Sequence, residues 1–365
     1  IENHTTSALR WEKETTENMQ MRSLLTKILV LIGIPVAVTY CIAAIISLNT
    51  VHTSVSKLTT SELAAKSQTA SYEIGGYFQN YMAIAGQIPT NRQFEELASD
   101  TVPGTPITSA PEFPRIKDTL LRIQQSDPEN IMSAWVADID SSQMVQSDGS
   151  LSDSGWKVDE SPWYQKLLKK QSVVMTDPYV DTVSSATVVS VVAPVYQENS
   201  KEIIGAAGIN LSISGWKTLM EQYTLGDTGF YILASDEGKI IYHPDKDFLN
   251  KSISETDMSD NIKQALSEKV TGDISYTSAG TPSHGYVSMI GDTGWVVATG
   301  LPDQEFKGPY TSVQTTMTII FSLALLIIAA VIIAIAMRIV GPIKKLAAAA
   351  DKLAVGDVDV DLPPQ

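Results

Sequence analysis

Cysteine is almost absent from this chain of 365 residues. A single Cys41 excludes an internal disulfide framework, so stability has to come from buried apolar surface. Histidine is scarce as well. His4, His52, His243 and His284 are scattered, and they spell out neither a His/Cys metal cluster nor a catalytic constellation; His243 before Pro244 reads as the close of a hairpin. No glycine-rich phosphate loop is present. Basic charge is also in deficit: 26 Lys+Arg face 41 Asp+Glu, a formal net charge of −15, which argues against nucleic acid as a partner. The pattern points away from an enzyme, and it implies no cofactor and no metal.

Charge is missing altogether from two runs of 21 residues, Ile28 to Leu48 and Met317 to Met337. At ~1.5 Å of rise per residue, each can cross a ~30 Å hydrocarbon layer. Gly33 and Pro35 inside the first run are tolerated by membrane helices. A cleaved signal peptide has a shorter apolar stretch, and no small-x-small site closes this run. Transmembrane helices are therefore expected over residues 24–48 and 313–337. Arg22 and Lys27 precede the first span, and Arg338, Lys344 and Lys345 follow the second, while Asn49 to Ser56 and Pro309 to Thr316 carry no basic residue. The positive-inside rule puts both ends in the cytoplasm and residues 49–312 outside a bacterial inner membrane. That outer segment holds 18 Lys+Arg and 33 Asp+Glu, so all the excess acidity lies outside. Residues 1–23 form a cytoplasmic N-terminal segment. Its first 20 residues are polar and without pattern, and Met19 or Met21 offers itself as a start.

Residues 50 to about 98 contain few breakers and predict a long helix. Ile74, Tyr77, Phe78, Tyr81 and Met82 form one apolar stripe on it, read as core packing. A Pro/Gly/Thr-rich loop, Thr101 to Pro114, leads to a helix around Ile116 to Gln125. The pattern then turns to strands, twice in similar order. The first pass runs from Met132–Ile139 and Gln143–Gln146 through a helix at Pro162–Lys170 to strands near Val173–Thr176, Thr187–Val195 and Ile203–Leu211. The second runs from Phe230–Leu233 through the Asp236-Glu237-Gly238 turn to Lys239–Tyr242, a helix at Asp260–Lys269, and strands near Asp273–Thr277, Gly285–Met289 and Trp295–Thr299. A connecting helix, Ser214 to Leu225, separates them. The expected fold is α+β: two stacked PAS-like antiparallel-sheet modules, distal at about 100–212 and proximal at about 226–305, on one long N-terminal helix.

Several motifs fall in a familiar order: Asp159-Glu160-Ser161-Pro162-Trp163-Tyr164, Asp177-Pro178-Tyr179-Val180-Asp181, Ala193-Pro194-Val195-Tyr196, and Gly205-Ala206-Ala207-Gly208-Ile209-Asn210-Leu211. With Gly229-Phe230-Tyr231-Ile232-Leu233 and Gly238-Lys239-Ile240-Ile241-Tyr242-His243-Pro244, they resemble the double Cache family of extracellular sensors over roughly residues 50–305. The resemblance implies a ligand pocket in the distal module, drawing on Trp135, Ser161, Trp163, Tyr164, Tyr179, Asp181 and Asn210. In relatives that bind amino acids, an Arg two positions before the Trp grips the ligand carboxylate, and acidic residues and a Tyr hold its ammonium. Here that position is Ser161, and Asn210 stands where an acidic residue is usual. A desolvated carboxylate needs a charge-assisted partner that serine cannot provide. The expected ligand is therefore a small amine, nucleobase or similar metabolite rather than a standard α-amino acid. Asp181 would pair with a cation, and Asn210 would offer donor and acceptor.

Beyond the second span, Ile343, Leu346, Ala350 and Leu353 occupy a and d of a heptad, Pro342 suits the first turn of a new helix, and Gly356 breaks it. Residues 338–365 resemble the start of a HAMP domain, which implies a homodimer. The expectation is the sensory half of a methyl-accepting chemotaxis receptor, with the chemotaxis coupling protein and kinase as partners. The alternative is the same input feeding a histidine kinase or a diguanylate cyclase.

Overall fold

The computed structural model describes residues 26, 27 and 29–354, which fall into two compact units, a membrane unit and a sensor unit of residues 58–306. In the membrane unit, a π-helical turn, Leu29–Gly33, runs into helix α1, Ile34–Gln87. Pro35 explains the turn: it has no N–H for the preceding carbonyls, and the ladder widens where that bond is missing. Large apolar side chains face outward on this helix and on the C-terminal one, as Leu31 (78% exposed) and Leu326 (68%) illustrate. Such surface is stable in lipid and not in water, and the two are transmembrane helices. Tyr40 donates to the Phe321 carbonyl at 3.1 Å, and His52 meets Tyr310 edge-on at 4.4 Å.

The sensor unit is built on the second half of α1. Leu63, Ala70, Ile74, Phe78, Tyr81 and Ala85 are buried on one stripe, as the periodicity predicts. The helix does not reach residue 98. It tightens to a 3-10 turn at Ile88–Thr90 and stops, because Pro89 removes a donor and Asn91 caps a new helix, α2 (Arg92–Asp100), accepting the Gln93 N–H at 3.1 Å. After α3, Phe113–Ser126, come the strands of the distal module. These are β1 (Ile131–Asp138), β2 (Gln143–Gln146), β3 (Val174–Met175), β4 (Tyr179–Val180), β5 (Thr187–Tyr196) and β6 (Ile203–Ser212), with α4 (Tyr164–Lys170) inserted before β3. The sheet order is β2-β1-β6-β5-β3, with β4 also on β5. The connecting helix α5 is shorter than expected, Ile213–Glu221. The proximal module contains β7 (Phe230–Ala234), β8 (Ile240–Tyr242), α6 (Asp260–Glu268), β9 (Gly272–Ser278), β10 (Thr281–Met289) and β11 (Val296–Pro302), in the order β8-β7-β11-β10-β9. All pairings are antiparallel, and apart from the short β4 the two sheets share one topology.

Strand alternation decides which residues meet the long helix. On β1 and β6, Ala134, Val136, Ala207, Ile209 and Leu211 join the core around Ile74, Phe78 and Tyr81. Trp135, Ala137 and Ala206 point to the other face. The modules meet around Trp295, whose ring contacts Phe78 at 5.1 Å and Trp216 of α5 at 6.2 Å.

The last helix, α7, spans Asp303–Ala354. At its start Glu305 accepts the Thr228 hydroxyl at 2.5 Å and the Asp227 and Thr228 N–H groups at 2.6 and 2.9 Å, and these bonds, the hydroxyl's foremost, hold its carboxyl below the usual range. Pro342 does not begin a new helix. α7 runs through it, as it does through Pro309, each proline costing one backbone bond that a long packed helix absorbs. Ile343, Leu346 and Ala350 are exposed on α7. Leu353 lies on the helix with its side chain outside the described set, and Gly356 lies outside the described residues.

Candidate ligand-binding site

The outer face of the distal sheet carries one polar row on an apolar wall. Ser133 on β1, Asn210 on β6 and Ser190 on β5 are direct cross-strand neighbours, and all three are buried. Two positions along β6, Gly208 lies opposite Trp135. A Cβ there would come within 2.6 Å of Trp135 Cζ2 and 2.9 Å of the Val191 carbonyl oxygen, so only glycine lets the indole lie flat across the strand. Trp163 then packs on Trp135, ring centres 5.3 Å apart and planes tilted by 34°, and Tyr164 meets Trp163 edge-on at 6.2 Å. Pro162 precedes the pair, and α4 opens only at Tyr164.

The hydrogen bonds along the row fix the orientation of Asn210. The Trp135 Nε1–H donates to Asn210 Oδ1 at 2.9 Å, and the Ser190 hydroxyl donates to the same oxygen at 2.6 Å. An indole N–H can only donate, so the amide cannot be turned round. Asn210 Nδ2 is left as a buried donor with no acceptor, and Ser133 Oγ beside it is unpartnered too. With its proton committed, Ser190 Oγ accepts from the Tyr179 hydroxyl at 2.8 Å. Burial, opposed by the Ser190 bond and helped by Asp181, pushes the Tyr179 phenol up to about 12, so it stays protonated at neutral pH.

Asp181 is buried at the end of this segment. Its Oδ2 accepts from Gln146 Nε2 (3.1 Å), the Ser184 N–H (2.8 Å) and the Ser184 hydroxyl (2.6 Å). These three donors hold the carboxylate at the edge of a cavity of about 560 Å³, walled by Ser161, Trp163, Tyr179, Asp181, Met144 and Trp156 among others. Asp153, Lys157 and Glu160 also line it. Among the described residues that line it, Lys157 is the one cation, paired with Glu160 at 3.1 Å, and that pairing raises the lysine pKa. Three carboxylates against one ammonium leave the cavity net acidic.

Of the seven residues expected at the site, Ser161, Trp163, Tyr179 and Asp181 line this cavity. Trp135 and Asn210 are not among its lining residues: they stand behind it, coupled through the Trp163 contact and the Ser190–Tyr179 bonds. Tyr164 is half-buried against the edge of Trp163 and does not line it either. The sequence reading did not place Asp153, Trp156, Lys157, Glu160, Gln146, Ser184 or Ser190 at the site. Only Ser190, on the same face as Val188 and Val192 of an alternating strand, carried a readable signal. In the proximal module, the matching sheet face is filled by apolar side chains, among them Ile232, Ala234, Ile262, Leu266, Val287 and Ala298.

The model of the Cache domain, in its double form, matches residues 47–310, and that of the HAMP domain matches 334–365. Methyl-accepting chemotaxis protein McpG of Pseudomonas putida is 26% identical over 126 residues, 34% of this chain and 19% of that protein. McpC of Bacillus subtilis is 24% identical over 200 residues, 54% of this chain and 29% of that one. The chain thus spans less than a third of the length of these curated relatives. Among solved structures, the periplasmic sensory domain of the Campylobacter jejuni chemoreceptor Tlp1 superposes with a TM-score of 0.55 at 16% identity, covering 70% of this chain and 99% of that one. The ligand-binding domain of the Pseudomonas fluorescens chemoreceptor CtaA, in complex with L-isoleucine, gives 0.51 at 16% identity, covering 71% and 97%. At that identity both establish the fold. With paired sheets of one topology on a shared helix and a family match over residues 47–310, this chain belongs to the double Cache domain family.

Proposed function

We propose that this chain is the sensory and relay portion of a methyl-accepting chemotaxis receptor of the bacterial inner membrane, and that its distal cavity binds a small cationic amine. The observation that carries the ligand class is the charge of the cavity. Asp181, Glu160 and Asp153 face a single Lys157 that Glu160 already neutralises, and Ser161 stands where a carboxylate-gripping Arg would be. Trp163 and Trp156 supply aromatic faces suited to an ammonium group. Tyr179, on the cavity wall, adds polar recognition of a heterocycle or hydroxyl. The curated relatives named above support the chemotaxis reading over a kinase or cyclase output. The exposed Ile343 and Leu346 suit the seam of a HAMP homodimer, through which occupancy would bias two helix packings. The coupling protein and kinase of chemotaxis are the expected partners, and the chain itself is a sensor rather than an enzyme.

Thermal unfolding of residues 58–306 with a panel of biogenic amines and α-amino acids tests the ligand class. Amines should raise the midpoint, because a ligand at 100 times its Kd adds about 2.7 kcal/mol to stability. Asp181→Asn should weaken that binding about 30-fold through loss of a charge-assisted contact. General stabilisation by α-amino acids, indifferent to Asp181, would refute the amine assignment. For the output, residues 1–365 fused to a chemotaxis signalling hairpin should restore swimming bias toward or away from the same amine. A hybrid that inserts in the membrane and binds amine yet leaves swimming unbiased counts against the receptor reading.

A further inference from the structure

The carboxylates of the distal cavity lie at two depths. Asp181 is only 2% exposed, and its three side-chain bonds, from Gln146 and Ser184, all fall on Oδ2. Oδ1 accepts from none of the described residues, yet it is not sealed in as Asn210 Nδ2 and Ser133 Oγ are. Because Asp181 walls the cavity, that open oxygen is an acceptor held ready for a charged donor. Asp153 and Glu160 reach the same cavity from the segment before α4, and both are exposed, so they form its mouth. Lys157 stands there with them. Its bond to Glu160 joins side chains that are 64% and 68% exposed, and an ion pair so open to solvent is weak.

Three carboxylates less one ammonium leave two negative charges around about 560 Å³. A single alkylammonium on Asp181 neutralises only one of them. One compact dication does not serve either. Among the described residues, no three acidic, histidine or cysteine side chains come close enough together to hold a metal ion, so the cavity's carboxylates do not converge on one point. The wall also offers Met144, Trp156, Pro162, Trp163 and Val180, apolar surface that suits methylene groups. Separated acidic groups on an apolar wall match a ligand with a charge at each end and hydrocarbon between.

We propose that the distal cavity selects α,ω-diamines, with one ammonium on Asp181 Oδ1, the other at Glu160 and Asp153 in the mouth, and the methylene chain along Trp163 and Trp156. The proposal rests on the amine reading of this cavity and names the kind of amine. Lys157 is then a tethered competitor: its ammonium holds Glu160 until the outer end of the ligand displaces it. A monoamine seated at Asp181 never meets that competition. The outer contact is open to solvent and weakens with salt, while the inner one is shielded.

The whole chain of residues 1–365 in lipid nanodiscs is titrated calorimetrically with 1,4-diaminobutane, 1,6-diaminohexane, butylamine, hexylamine and calcium chloride. The better diamine should bind once per chain and about fivefold more tightly than its matching monoamine at low ionic strength. That advantage should fade in about 0.5 M salt. Asp181→Asn should weaken every amine. Glu160→Gln should bring the diamine down toward the monoamine, whereas Lys157→Met should tighten the diamine about threefold and leave the monoamine unchanged. Both mouth residues are exposed, so neither variant threatens the fold, and a merely structural role would move diamine and monoamine together. Equal binding of diamine and monoamine, both weakened by Asp181→Asn, overturns the diamine assignment while the amine reading stands. Failure of every amine to bind overturns both. Preference for calcium over the diamine, or equal loss of both amine classes in Glu160→Gln, also overturns the proposal.

Discussion

Replacing Gly208 by valine should destabilise the sensor unit by about 3 kcal/mol and abolish ligand-induced stabilisation in the distal cavity. The cause is local and steric. A Cβ at this position meets Trp135 Cζ2 at 2.6 Å and Cε2 at 2.8 Å on one side and the Val191 carbonyl oxygen at 2.9 Å on the other. The carbonyl belongs to the sheet ladder and cannot retreat, so the indole must. Once it moves, the Trp135 Nε1–H leaves Asn210 Oδ1, and Trp163, packed on the indole, loses its support at the cavity wall. Urea unfolding measures the first effect and ligand-dependent melting the second. A valine variant within about 0.5 kcal/mol of the parent would mean that the indole is free to choose another position, and that Gly208 does not shape the pocket.

Lys166→Met should cost about 3 kcal/mol at pH 7, and the cost should shrink in acid. Lys166 Nζ lies 3.1 Å from Glu237, 3.7 Å from Asp236 and 3.9 Å from Asp177, which joins α4 to the turn between β7 and β8 of the proximal module. Asp177 is the sensitive member. It is buried and takes a 2.5 Å bond from the Ser235 hydroxyl; burial raises its pKa, while that bond and Lys166 pull it back. Without Lys166 the pKa rises further. A carboxylate whose folded-state pKa exceeds its unfolded one destabilises the fold above the folded value, and that cost vanishes once pH drops below the unfolded one. The variant should therefore approach the parent in stability as pH falls from 7 toward about 4. A penalty independent of pH would assign the loss to packing of the lysine stem instead. Because α4 opens beside Trp163 and Asp177 precedes Tyr179 and Asp181 by two and four residues, this network also ties the distal cavity wall to the proximal module.

Much of the architecture was legible in the residues. Two charge-free runs of helical length can be stable only in lipid or deep in a core, and their outward-facing Leu31 and Leu326 agree with lipid. The stripe Ile74, Phe78 and Tyr81 reports burial through its 3.6-residue period, and the Asp236-Glu237-Gly238 turn reports a hairpin through the left-handed backbone that Gly238 adopts at φ 78°. Where helix ends were misjudged, a local rule met a competing one. Pro89 and Asn91 together stop α1 at Gln87, short of the expected end near residue 98, whereas Pro342 yields to a helix whose neighbouring bonds hold it on both sides.

The sequence by itself determined the two spans, the repeated order of strands and helices and the acidity of the segment between the spans, because each depends on composition or on spacing along the chain. The missing carboxylate-reading Arg rests on the resemblance to the double Cache family. Only the tertiary structure decided which residues share the pocket. Asp153, Trp156, Lys157 and Glu160 reach the cavity from a loop with no periodicity, while Trp135 and Asn210, on strands whose alternation was plain, stand one layer behind it. Alternation fixes the face on which a side chain emerges and says nothing about what lies above it. That depends on the packing of Trp163 against Trp135, whose indole Gly208 makes room for, a contact between segments that are distant in sequence.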